Sequence, residues 1–125
     1  MTDLLAQVLD DLAQEGAALD ALVAPLDDAG WRTPTPAAGW DIATQVVHLA
    51  WTDEVAVFAA TDKVAWDEVV LEAIADPEGF VDAGALAGAQ ASPAEILARW
   101  RAARPALQEA LRTYPAGEKL PWFGP

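Results

Sequence analysis

Gly39-Trp40-Asp41-Ile42-Ala43-Thr44-Gln45-Val46-Val47-His48-Leu49 is the stretch on which the fold turns. Asp41 precedes an apolar periodic run. Its short acidic side chain suits it to accept hydrogen bonds from the backbone N–H groups that a first helical turn leaves unpaired. The helix it opens is expected to reach about Ala60, with Ile42, Val46, Leu49, Ala50 and Phe58 as its core stripe. His48 lies on the adjoining face with Thr44, Gln45, Trp51, Thr52 and Val55, its neighbours at three and four residues. It is the only histidine in 125 residues, and the chain has no cysteine. An imidazole so placed is either a metal ligand or a half-buried neutral ring hydrogen-bonded to a threonine or to backbone.

Working outward, the pattern is helical throughout. Leu5, Val8, Leu9, Leu12, Leu19, Leu22, Val23 and Leu26 recur at three- and four-residue spacing, which predicts one apolar face on a helix from about Asp3 to Asp28. Thr2 is its expected N-cap and Gly30 its stop, with Pro25 placed to end it early. Trp31 to Trp40 reads as an extended connector, because each proline disfavours helix for the residue before it, and the two tryptophans pin it. Asp62 is the expected cap of a helix from Lys63 to Ala75, with Val64, Val70, Leu71 and Ile74 on its buried face and Trp66 nearby. Asp76-Pro77-Glu78-Gly79 is a turn. Phe80 to Gln90 is a short helix weakened by Gly84 and Gly88. Ser92-Pro93-Ala94-Glu95 is a capping box with proline at the first position, opening a helix to about Thr113 that buries Ile96, Leu97, Trp100, Leu107 and Leu111. The closing Leu120-Pro121-Trp122-Phe123-Gly124-Pro125 either tucks back or leads into a further element, and two terminal aromatics favour the second.

Composition bounds the function. The length suits one domain over residues 1–125, and 54% apolar content is enough for a core. Twenty acidic against seven basic residues give a net charge of −13. This argues against nucleic acid, which needs a basic surface, and against anionic membrane. With no basic-then-apolar leader and no apolar run of spanning length, a soluble cytoplasmic protein is expected. Absence of cysteine removes disulfides, thiolate catalysis and sulfur-ligated zinc. Asp53 and Glu54 are adjacent, so their side chains diverge by about 100° and read as a solvated face rather than an acid–base pair. Arg99, Arg101 and Arg104 suit either a substrate anion or pairing with nearby acids, and local pairing is the simpler reading.

With those residues in view, Trp31-x-x-Pro34-Thr35-Pro36-x-x-Gly39-Trp40-Asp41 followed by Val47-His48-Leu49-Ala50 resembles the DinB-like superfamily. The nearest branch is the metal-binding domain of mycothiol-dependent maleylpyruvate isomerase. His48-Leu49-Ala50-Trp51-Thr52-Asp53-Glu54 and the closing segment are similar to an actinobacterial subgroup of uncharacterised proteins. The resemblance implies an all-α, up-and-down four-helix bundle and a divalent metal, zinc first, that acidifies a bound thiol or water. It also implies mycothiol as the thiol cofactor and a small-molecule thiol or substrate as partner. His48 matches the family's first metal ligand. Gln45 and Thr52 would support it, and Trp51 would form a pocket wall that touches the cofactor. The family's other two ligands lie on a last helix, as Glu or His and then His four residues on. This sequence has no such helix, so it reads as truncated before it. The site would then be completed by acids or by a second copy in a homodimer, and an isomerase or S-transferase activity would belong to the full-length protein. A non-catalytic small-ligand module and a structural fragment are the alternatives.

Overall fold

The computed structural model describes residues 3–124, and among these every regular element is a helix. They are α1 (Leu4–Val23), α2 (Asp28–Trp31), α3 (Ile42–Thr61), α4 (Lys63–Ala75), α5 (Phe80–Gly88) and α6 (Pro93–Thr113). The all-α class therefore stands. The expected cap at Thr2 lies outside the described residues. Asp3 caps α1 instead, accepting from the amides of Leu5 and Ala6.

The caps read from sequence are present at the other helices. Asp41 Oδ1 takes the Thr44 amide and also the Thr44 hydroxyl, both at 2.8 Å, which satisfies a buried threonine. Asp62 caps α4, and Ser92 and Glu95 close their reciprocal box on α6. The first helix stops at Val23, ahead of Pro25, and the chain re-enters a single helical turn at Asp28–Trp31. Gly30 thus lies inside a helix rather than ending one. The connector is not simply extended either. Thr35 N donates to Trp40 O, and Ile42 N donates to Thr33 O. Gly39 takes φ 79°, a backbone region that favours glycine, and turns the segment back on itself.

The core is centred on α3 and α6. Val23, Trp31, Ala43, Val46, Val47, Ala50, Ile96 and Trp100 form one buried cluster. Helix α1 packs chiefly against α6, while α4 and α5 lean on α3. That arrangement overturns part of the expected burial. Leu49 is exposed, as are Leu5, Val8, Leu12 and Leu22 of α1, leaving Leu9 and Val23 as its buried residues. On α4 the expected buried face is turned outward: Val64, Leu71 and Ile74 are each about two-thirds exposed, and Trp66 is buried in their place. The cause is that α4 meets its neighbours along one side only, and the bulkiest group occupies that side.

The tail corrects the reading of the C-terminus. Trp122 stacks on Trp66 at 5.7 Å, and Phe123 approaches Trp66 at 4.9 Å, so the closing aromatics fold back onto the helices. Such pairs gain stability beyond the area they bury.

The two glycines of α5 are not equivalent. A Cβ on Gly88 would run into Val47 Cγ1, a fully buried side chain, and would lie 3.1 Å from Arg99 Nη1. A Cβ on Gly84 would meet nothing within 4 Å. Gly84→Ala is expected to stabilise the protein by about 0.5–1 kcal/mol through helix propensity. Gly88→Ala is expected to destabilise it by about 1–3 kcal/mol through overpacking. Urea unfolding followed by circular dichroism checks both signs.

Candidate functional site

His48 sits in the second turn of α3, half-buried. Trp40 lies against one side of its ring at 5.2 Å, tilted by 59°, and Trp51 stacks at 5.9 Å and 20° on the same helix face. Trp40 is itself fixed, its indole N–H donating to Asp82 of α5 at 2.9 Å. Beyond Trp51 the aromatic contacts continue to Phe80, Phe123, Trp66 and Trp122. The imidazole is thus positioned by ring packing. The polar neighbours look elsewhere: Gln45 Nε2 donates to Thr35 Oγ1, and Thr52 Oγ1 donates to the His48 backbone carbonyl. Among the described residues neither imidazole nitrogen has a protein hydrogen-bond partner, and neither is a buried unsatisfied atom.

Among the described residues, no three His, Asp or Glu side chains are gathered to share an ion. A catalytic zinc takes three protein ligands and a structural one four. The described residues therefore do not build a closed metal centre.

Helix α5 is also tied in by a residue that the sequence did not single out. Arg32 donates to the carbonyls of Ala89 and Ala91, 2.7 and 3.0 Å away, and approaches Asp41 at 3.7 Å. Nothing in local sequence marks it, because its acceptors are backbone atoms some 57–59 residues on.

The adjacent carboxylates diverge as their spacing requires. Glu54 takes a two-bond fork from Arg99, at 2.9 and 2.7 Å. Arg101 and Arg104 both bind Asp20 of α1, at 2.8 Å, and Arg104 also lies over the Trp100 ring at 4.1 Å. The Arg101 guanidinium, followed by that of Arg104, holds the Asp20 carboxyl below its ordinary range against the opposing effect of burial. These three arginines are each engaged by a local acid.

Asp53 is different. It points into a groove of about 800 Å³ bounded by α1, α3 and α6. Among the described residues it has no hydrogen bond or ion pair. Burial pushes its carboxyl up to about 6; Arg104 opposes the rise and Glu54 adds to it. An acid whose folded value exceeds its ordinary 3.8 weakens the fold wherever it is charged. The penalty is absent below about pH 4 and complete above about pH 6. Asp53→Asn is therefore expected to raise stability by about 1 kcal/mol at pH 8, the full shift being discounted for the half of the group that water screens. The gain should vanish at pH 4, and paired urea titrations at the two pH values check it.

An uncharacterised protein of Mycobacterium tuberculosis, found in strains CDC 1551/Oshkosh and H37Rv, is 51% identical over 115 residues. The match takes in 92% of this chain and 45% of that protein in each strain, so the chain spans about half the length of the curated relatives it matches. No solved structure matches. Residues 12–125 match the family described as the mycothiol maleylpyruvate isomerase N-terminal domain, and the chain belongs to that family.

Proposed function

We propose that this chain is the helical scaffold of a divalent-metal-binding domain related to the mycothiol-dependent maleylpyruvate isomerases and thiol transferases, with His48 as one metal ligand. On this reading α1, α3 and α6 are three walls of a DinB-like up-and-down bundle, and the metal is zinc. The observation that carries the proposal is the state of the His48 ring. It is fixed between Trp40 and Trp51, and neither nitrogen has a protein hydrogen bond. An imidazole nitrogen that no protein donor or acceptor engages is open to coordinate a metal.

The remaining ligands and the thiol cofactor are assigned to the longer protein. The relatives are more than twice the matched length, which leaves chain from which such ligands can come. An isomerase or S-transferase activity is assigned to that whole protein and none to this chain alone.

Cobalt(II) is the probe, since a paramagnetic ion on His48 would quench emission from the two tryptophans beside it. Titration into this chain is expected to give a quench that zinc reverses. His48→Gln is expected to weaken the effect by at least about tenfold. A quench left unchanged in the variant would come from surface carboxylates and would overturn the assignment.

A further inference from the structure

The first turn of α5 reaches both rings that flank His48. Phe80 meets Trp51 edge-on at 5.4 Å, and the Asp82 carboxylate accepts the Trp40 indole N–H at 2.9 Å. Trp51 shares a helix with His48, so its place is set by α3 itself. Trp40 belongs to the connector and has to be held there. Its carbonyl accepts from the Thr35 amide at 2.9 Å and from the Thr35 hydroxyl at 2.7 Å. That hydroxyl in turn accepts from Gln45 of α3 at 3.1 Å. These bonds fix the backbone of Trp40 and leave its two side-chain torsions to be decided. The bond to Asp82 decides them, since turning the indole over would point its N–H away from the acceptor.

The acceptor is itself carried on a fixed element. Arg32 binds the carbonyls of Ala89 and Ala91 just past the far end of α5, and Gly88 brings that end close against Val47. His48 needs such a frame. Metal-ligating histidines are commonly oriented by a hydrogen bond from the second ring nitrogen. Here neither nitrogen has one from the protein, so the orientation of the ring comes from its walls.

We propose that Asp82 is a positioning residue, which sets the orientation of the His48 ring through its hydrogen bond to Trp40. The geometric part stands on these contacts alone, and its functional weight rests on the reading of His48 as a metal ligand.

The test reads the imidazole directly. His48 is the only histidine, so its ring-proton signals stand alone in the NMR spectrum, displaced by the ring currents of Trp40 and Trp51. At about pH 8.5, above the ordinary histidine range, protonation does not enter the comparison. Asp82→Ala is expected to move these signals toward their positions in free histidine. Asp82→Asn keeps an acceptor oxygen without the charge and is expected to leave them in place. In a Trp40→Phe chain, which has no indole N–H to donate, Asp82→Ala should add no further change. Circular dichroism should show each variant folded. In the cobalt titration Asp82→Ala is expected to weaken the quench about tenfold, and Asp82→Asn to restore it. Ring-proton signals unmoved by Asp82→Ala would overturn the proposal. Signals moved equally by Asp82→Asn would assign the effect to charge, and a further change in the Trp40→Phe chain would assign it to another route; either overturns it. A cobalt midpoint shifted by His48→Gln but not by Asp82→Ala would overturn its functional half. A quench indifferent to His48→Gln would remove the metal reading instead, with the positioning still decided by the ring protons.

Discussion

The seam between α3 and α6 gathers Val46, Val47 and Ala50 with Ile96 and Trp100 into one buried cluster, and the other helices take their places from it. Close approach there depends on small residues: Ala43 and Ala50 are fully buried, and Gly88 brings α5 down onto Val47. Close packing of this kind has few tolerant positions, because an added methyl group has no free volume to occupy. Helix α3 is the common element. One part of its surface belongs to the seam, another carries His48 and Trp51 toward the aromatic cluster, and Leu49 and Asp53 line the groove. Two chemically distinct environments are therefore built on one helix.

Charge placement follows from the same scarcity of cations. Of seven basic residues, Arg99, Arg101, Arg104, Arg112, Lys63 and Arg32 all lie within ion-pairing distance of an acid. The described surface consequently offers no basic patch. Exposed pairs such as Lys63–Asp67 add little stability. The fork from α6 to Asp20 matters more for position, since it bridges two helices. It has one imperfection, the buried Nε of Arg104, which has no partner.

Much of the local structure was legible in the chain. Asp41, Asp62 and Ser92 announced three helices, since capping is a short-range chemistry written within three residues. Faces were less legible. The apolar residues of α1 and α4 are spaced as a helix requires, but spacing reveals that a face exists and not whether anything covers it. Val64, Leu71 and Ile74 show the difference. At the candidate site, His48 and Trp51 were visible as neighbours three residues apart on one helix. Trp40, Asp82, Phe80 and Phe123 reach the same cluster from distant segments, as Arg32 reaches the carbonyls of Ala89 and Ala91, and no periodicity encodes such meetings. The raised pKa of Asp53 was hidden for the same reason, since it arises from burial in a groove built by three helices.

The one-sided attachment of α1 has a dynamic consequence. Its buried side chains are few, and its polar ties to the rest run to α6, through Asp20 and through Gln108, which donates to the Leu9 carbonyl. An element with little buried area and few long-range bonds is the one whose departure leaves the remaining core least disturbed. Helix α1 is accordingly expected to open as its own cooperative unit, its amides exchanging with solvent through a partial unfolding that leaves α3 and α6 intact.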